Sequence, residues 1–166
     1  IASSSVVVSI GDGSTIVGIE QIYFTAGDGN DDVTGSAYQD SLYGNGGNDV
    51  LRGGAGADFL FGGDGVDRIY GGTGENFING DLGNDLIYGG ADNDYIRGDA
   101  GDDQLTGSTG NDTLYADQGN DVIYGGAGLN DLRGGAGNDR VYGGDDADFI
   151  GGNEGADTLS GGGGDD

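Results

Sequence analysis

The feature that most constrains this chain is a period. From Ala26 onward the sequence aligns with itself at nine residues without an insertion or a deletion. Two successive units read Gly53-Gly54-Ala55-Gly56-Ala57-Asp58-Phe59-Leu60-Phe61 and Gly62-Gly63-Asp64-Gly65-Val66-Asp67-Arg68-Ile69-Tyr70. Fifteen complete units begin at residue 26 and every nine residues thereafter to 152, with a partial unit at 161. A unit this short cannot bury an apolar face alone. It is stable only when copies stack, so the period demands a solenoid.

The eighth position of each unit says which way the stack faces. It is Val33, Leu42, Leu51, Leu60, Ile69, Ile78, Ile87, Ile96, Leu105, Leu114, Ile123, Leu132, Val141, Ile150 and Leu159, a branched aliphatic every time in a chain only 34% hydrophobic. Each unit divides into six Gly-rich turn residues ending in Asp and three strand residues centred on the aliphatic. A three-residue strand puts its middle side chain on one face and its flanking pair on the other, so position 8 points inward and positions 7 and 9 outward. The turns need left-handed backbone and close approach, which Gly supplies. The expected fold is all-β: a right-handed parallel β-roll with two nonapeptides per coil and about eight coils.

Composition narrows the function. Asp and Glu number 30 against five cations, all Arg, for a formal charge of −25; 42 residues are Gly, and Cys, His and Lys are absent. Nucleic acid and anionic membranes would be repelled, and no apolar run approaches the ~20 residues of a membrane span. Without His, Cys or Lys there is no Ser/His/Asp arrangement and no thiol nucleophile, so no enzyme is expected. Such an excess of carboxylate calls for multivalent cations. Residues 1–25 lie outside the strict period. Val6, Val8 and Ile10 alternate, Gly11-Asp12-Gly13 reads as a turn, and Ile22 and Phe24 alternate before Ala26, which predicts a strand-rich N-terminal cap, with residues 26–166 forming the roll. The chain begins at Ile1 and stops within a repeat at Gly161–Asp166, as a piece of a longer or processed protein would.

In a two-unit coil, residues eighteen apart lie one above the other, about 4.8 Å apart. Calcium takes oxygens at ~2.3–2.6 Å, so two carboxylates one coil apart can share an ion. The sixth position forms two such files. One edge carries Asp31, Asp49, Asp67, Asp85, Asp103, Asp121, Asp139 and Asp157. The other carries Asp40, Asp58, Asn76, Asp94, Asp112, Asn130, Asp148 and Asp166. About seven calcium ions are expected on the first edge and fewer on the second, where the Asp40/Asp58, Asp94/Asp112 and Asp148/Asp166 pairs keep both carboxylates. The gaps next to Asn76 and Asn130 are expected to be weak or empty, although an amide oxygen can still ligate. Zinc, copper and iron lack their usual ligands here.

The unit Gly-Gly-x-Gly-x-Asp-x-aliphatic-x, repeated in phase over residues 26–166, resembles the RTX, or hemolysin-type, calcium-binding nonapeptide repeat family. The resemblance implies that carbonyls at turn positions 2 and 4 of one coil and 1 and 3 of the next complete each calcium shell. On the first edge these would come from Gly27 and Gly29, then Gly44, Gly46 and Gly47, then Gly62, Gly63, Asp64 and Gly65. Further along they would come from Gly80, Leu82 and Gly83, then Gly98, Ala100 and Gly101, then Gln118 and Gly119. Gly134, Ala136 and Gly137, and finally Gly152 and Glu154, would close the series. The resemblance also implies bacterial type I secretion into calcium-rich medium, and a role as a structural region of an adhesin, surface-layer or fibre protein.

The outward positions suggest further contacts. Tyr70 and Tyr88 share one face at position 9, as do Tyr124 and Tyr142, while Phe59, Phe77 and Tyr95 share the opposite face at position 7. These ladders either stabilise the roll or present a surface for a polysaccharide or another roll. Two finer expectations follow: rolls associating end to end with copies of themselves, or a carbohydrate-binding accessory module of a polysaccharide-modifying enzyme such as an alginate epimerase.

Overall fold

The computed structural model describes residues 6–9 and 21–166. Among them every regular element is a strand. In chain order these are β1 (Val6–Ser9), β2 (Ile22–Thr25), β3 (Asp32–Thr34), β4 (Ser41–Gly46), β5 (Val50–Ala55), β6 (Phe59–Asp64), β7 (Arg68–Thr73) and β8 (Phe77–Leu82). There follow β9 (Leu86–Ala91), β10 (Tyr95–Ala100), β11 (Gln104–Thr109), β12 (Thr113–Gln118), β13 (Val122–Ala127), β14 (Asp131–Ala136), β15 (Arg140–Gly144), β16 (Phe149–Glu154) and β17 (Thr158–Gly162). The strands alternate between two parallel sheets, one ordered β1-β2-β4-β6-β8-β10-β12-β14-β16 and the other β3-β5-β7-β9-β11-β13-β15-β17. The architecture is a β-solenoid of about eight turns, as the period requires. No helix among the described residues is long and apolar enough to cross a membrane.

The register makes the period physical. From β2 onward each residue pairs with the one eighteen later: Phe24 with Leu42, Leu42 with Leu60, Ile78 with Ile96, Leu132 with Ile150. Phe24 therefore already occupies an inward place and is buried. β1 pairs with β2 at a sixteen-residue offset, Val6 with Ile22, so the strict register begins at β2. The turn expected at Gly11–Gly13 lies outside the described residues. Every position-8 side chain from Val33 to Val141 is at most 1% exposed and belongs to a single apolar cluster. Along this axis the core is one side chain deep from each sheet, which is why aliphatics of nearly equal volume recur.

Most strands are longer than the sequence predicts, six residues rather than three. They continue through the first three positions of the following unit, because an indel-free register lets those backbone groups keep pairing with the coils above and below. The second inward residue of each strand is then position 1, and it is Gly in every full repeat but those of Ala26 and Ala116. The tight turn shrinks to positions 4 to 6. Position 4 shows why Gly is needed there: Gly83 has φ +137°, and a β-carbon would collide with the Gly65 carbonyl one coil below. In most repeats position 2 is also left-handed, and the non-glycine residues that take this conformation there are Asn45, Asp81, Asp99, Ser108, Asp117 and Asn153, mostly the residue types that tolerate this region.

This core sets a testable scale. Ile96→Ala removes a fully buried side chain and should destabilise the calcium-loaded fold by about 2–5 kcal/mol. Thr106→Ala, on an outward position, should stay within about 0.5 kcal/mol. Denaturant unfolding in saturating calcium measures both; equal effects would mean that position 8 is not the core.

Candidate metal centre

The last turn residue of each unit enters its strand with its side chain turned inward, and this produces the two acidic files. Twelve position-6 aspartates from Asp31 to Asp148 are buried, as are Asn76 and Asn130 at 3% exposed each. Asp157 is half-buried and Asp166 exposed. Each member is tied to the next by a hydrogen bond that ignores local sequence. On the first edge the Asp31 N–H donates to Asp49 Oδ1, Asp49 to Asp67, Asp67 to Asp85 and Asp85 to Asp103, all at 2.7–2.8 Å. Asp103 to Asp121, Asp121 to Asp139 and Asp139 to Asp157 continue the file at 2.7, 2.9 and 3.0 Å. The second edge repeats the arrangement from Asp40 N–H through Asp58, Asn76, Asp94, Asp112, Asn130 and Asp148 to Asp166, at 2.8–3.0 Å.

The second carboxylate oxygen is the informative one. Oδ2 of Asp49, Asp67, Asp85, Asp103, Asp121 and Asp139 on the first edge is buried and has no hydrogen-bond partner. The same holds for Asp58, Asp94, Asp112 and Asp148 on the second. Each but Asp121, whose position 1 is Ala116, lies over its own turn's position-1 glycine, beside the first carbonyl of the next coil: a β-carbon at Gly44 would strike both Asp49 Oδ2 and the Gly62 carbonyl. A cradle of facing oxygens, kept open by a missing side chain, is chemistry for a hard cation. A buried carboxylate left without a counter-charge costs several kcal/mol. Among the described residues no three acidic side chains converge on one point, so any ion between coils must draw most of its shell from backbone carbonyls. Asp40 differs, since its Oδ2 accepts from the Ser36 N–H at 2.5 Å.

Electrostatics agree with this reading. Burial pushes the carboxyls of Asp49, Asp58 and Asp121 up to about 6, Asp85 and Asp94 to about 7 and Asp103 to about 8. The hydrogen bond from the preceding coil opposes that rise in each case, and neighbouring carboxylates add to it in most. Burial also raises Asp67, Asp112 and Asp139.

The geometry defines a solenoid whose coils are joined through buried acidic turns suited to divalent cations. The RTX calcium-binding nonapeptide repeat model matches residues 25–60, 61–96, 97–132, 124–159 and 142–166. The chain belongs to the RTX calcium-binding repeat family, and its roll is a structural calcium-binding fold. No curated protein matches the chain.

Three features lay beyond the sequence reading. The first is a second ladder on the outside of the first edge, running the opposite way. The N–H groups of Asn48, Val66, Asp102, Asn120, Asn138 and Ala156 donate to the position-5 side chain one coil below, at 2.7–3.0 Å. The recurrence of Asn at position 5 was its signal. The second is the extent of the aromatic surface. Tyr70 stacks on Tyr88 with centroids 5.4 Å apart, and Tyr124 on Tyr142 at 5.2 Å. Phe77 contacts Phe59 at 6.2 Å and stacks on Tyr95 at 5.2 Å. That second cluster runs further than position 7 indicates, because Tyr43 and Phe61 stack at 4.8 Å and Phe61 meets Phe77 at 5.8 Å across the strand. Tyr23 and Tyr115 join its two ends. The third concerns three outward arginines. Arg52 pairs with Asp32, Arg97 lies 2.5 Å from Asp99 and 2.6 Å from Asp117, and Arg133 lies 3.1 Å from Asp131. Their charge is already matched within the chain.

The raised carboxyls fix a pH dependence. Each titrates higher in the metal-free fold than its ordinary value of 3.8, so protonation favours that fold. The contribution is fully present below about pH 4 and is lost as pH rises through about 6 to 8. Metal-stripped protein should therefore gain β signal in far-UV circular dichroism on acidification from pH 8 to 4. A signal that falls over that range would contradict the burial of the files.

Proposed function

We propose that this chain is a calcium-stabilised structural region of a secreted bacterial protein of adhesin, surface-layer or fibre type, and that calcium folds it. The observation that carries the reading is the set of buried, partnerless Oδ2 atoms between coils. At neutral pH these oxygens repel one another across each coil and have lost their water, while the core along the axis is thin. An ion held between Asp49 and Asp67, and at each equivalent junction, removes both penalties at once. The position-6 aspartates would supply the carboxylates and the turn carbonyls the remaining oxygens. In a calcium-poor interior such a chain stays unfolded, and in calcium-rich medium it folds, which suits export.

End-to-end association of rolls is the finer part of the reading. A parallel roll carries unpaired strand edges at the ends of its stack, and such edges are templates for pairing with another roll. A calcium titration at pH 7.5 reads both parts. Circular dichroism should change from coil to β, and light scattering should then report species larger than one chain. An equal β signal in chelator and in millimolar calcium would refute folding by calcium; a strict monomer would refute the association.

The aromatic surface supports a second reading, a carbohydrate-binding accessory module of an enzyme such as an alginate epimerase. Tyr124 and Tyr142 are 42% and 36% exposed, and stacked rings along a rod present a repeated flat surface to a sugar chain. Retention on immobilised alginate, reduced at least tenfold by Tyr88→Ala with Tyr142→Ala, is the expected result under this reading. No retention by the parent chain rules it out.

A further inference from the structure

The two asparagines of the second edge do more than remove charge. In the position-6 side chains from Asp40 to Asp148 the first oxygen accepts the N–H of the coil below, and the second atom faces the coil above. Asn76 and Asn130 obey this polarity. Asn76 Oδ1 accepts from the Asp58 N–H at 3.0 Å, and Asn130 Oδ1 from the Asp112 N–H at 3.0 Å. Those donors fix the amide orientation, because a nitrogen could not accept them. The amide nitrogen is thereby placed where the other side chains hold Oδ2. It is the side-chain atom that a β-carbon at Gly71 or Gly125 would meet, whereas at Gly80 or Gly89 that atom is Asp Oδ2.

From that place the nitrogen donates. Asn76 Nδ2 bonds the Gly74 carbonyl at 2.8 Å and Asp94 Oδ1 at 2.9 Å. Asn130 Nδ2 bonds the Gly128 carbonyl at 3.1 Å. A cation above either asparagine would need oxygens that the amide already occupies, and it would face N–H groups that repel it. A second substitution accompanies each one. Position 4 of the coil above is Asp92 in one case and Asp146 in the other, the two places on this edge where Asp stands at position 4. Their carboxylates accept the Gly74 N–H at 3.0 Å and the Gly128 N–H at 2.9 Å. The same residue whose carbonyl the amide takes is thus tied to the next coil by its N–H. The paired substitution recurs three coils on, with the amide of Asn130 bonding the carbonyl of its own turn and not the carboxylate above.

Below each asparagine the situation is reversed. Asp58 Oδ2 and Asp112 Oδ2 are buried and unpartnered, each residue being 1% exposed, and the facing atom is an amide oxygen.

We propose that the second edge is a directional calcium file interrupted by two metal-free locks. The junctions Asn76/Asp94 and Asn130/Asp148 are closed by amide hydrogen bonds. The junctions Asp58/Asn76 and Asp112/Asn130 are mixed carboxylate–amide calcium sites. The inference rests on the calcium reading of the roll and adds which junctions exclude the ion. In place of two gaps flanking each asparagine it assigns one gap and one site.

Calcium bound per chain, counted by elemental analysis after equilibrium dialysis in saturating calcium, tests it. Asn76→Asp with Asn130→Asp converts both nitrogens to Oδ2 and should add two ions per chain. Asp85→Asn, made on the unbroken edge, should remove one ion, at the Asp85/Asp103 junction alone. An unchanged or lower count in the double variant overturns the proposal, and so does loss of two ions or of none from Asp85→Asn. A parent chain that binds no calcium would instead overturn the metal reading itself, so the two failures are distinguishable.

Discussion

The structure depends on a side chain that serves two coils at once. From Asp49 to Asp148 each buried position-6 carboxylate receives a backbone N–H from the coil below through one oxygen and presents the other to the coil above. The first contact aligns the coils and satisfies a donor that the turn would otherwise bury unpaired. The second leaves an acceptor that nothing in the protein satisfies. A leucine could fill the same volume, but it would neither take the N–H nor create a demand for a cation. Asparagine takes the N–H and answers the demand with its own hydrogens.

This bifunctional residue explains the rest of the repeat. Because the carboxylate must lie inward at the turn, position 1 directly beneath it has to be small. Because the coils approach closely enough for one side chain to bridge them, positions 2 and 4 are left-handed in most repeats. Because the interior between two sheets then holds only one aliphatic per strand besides that glycine, position 8 must be filled every time with similar volume. The period is nine because it contains one inward aliphatic, one inward gap and one inward acid. An insertion would put every later acid out of line with its neighbour, and none occurs between Ala26 and the last residue.

Much of this was legible in the residues. Position 8 announced the core, and the eighteen-residue spacing announced both sheets and both acidic files, since a stacked repeat leaves little freedom in placing them. What was not legible depended on hydrogen atoms and on backbone extent. Six-residue strands follow from pairing of positions 1–3, which are Gly-rich and carry no strand propensity. The junction of Phe61 with Phe77 mixes positions 9 and 7 and so escapes any reading that follows one column at a time. The ion pairs of Arg52 with Asp32 and of Arg97 with Asp117 were hidden because the partners stand twenty residues apart in the chain.

The asparagines show the same limit more sharply. By composition Asn76 is an aspartate that has lost half its ligating power, equally toward both neighbours. In the roll the neighbours are not equivalent, because the chain direction gives every coil a donor on one side and an acceptor cradle on the other. An amide in such a place has a polarity that a carboxylate lacks. The pairing of Asn76 with Asp92, and of Asn130 with Asp146 three coils later, was present in the sequence. It gained meaning only once Gly74 and Gly128 were seen to be held through both their carbonyl and their N–H. A parallel solenoid has a direction at every position along its length, so substitutions within it act toward one neighbour and not the other.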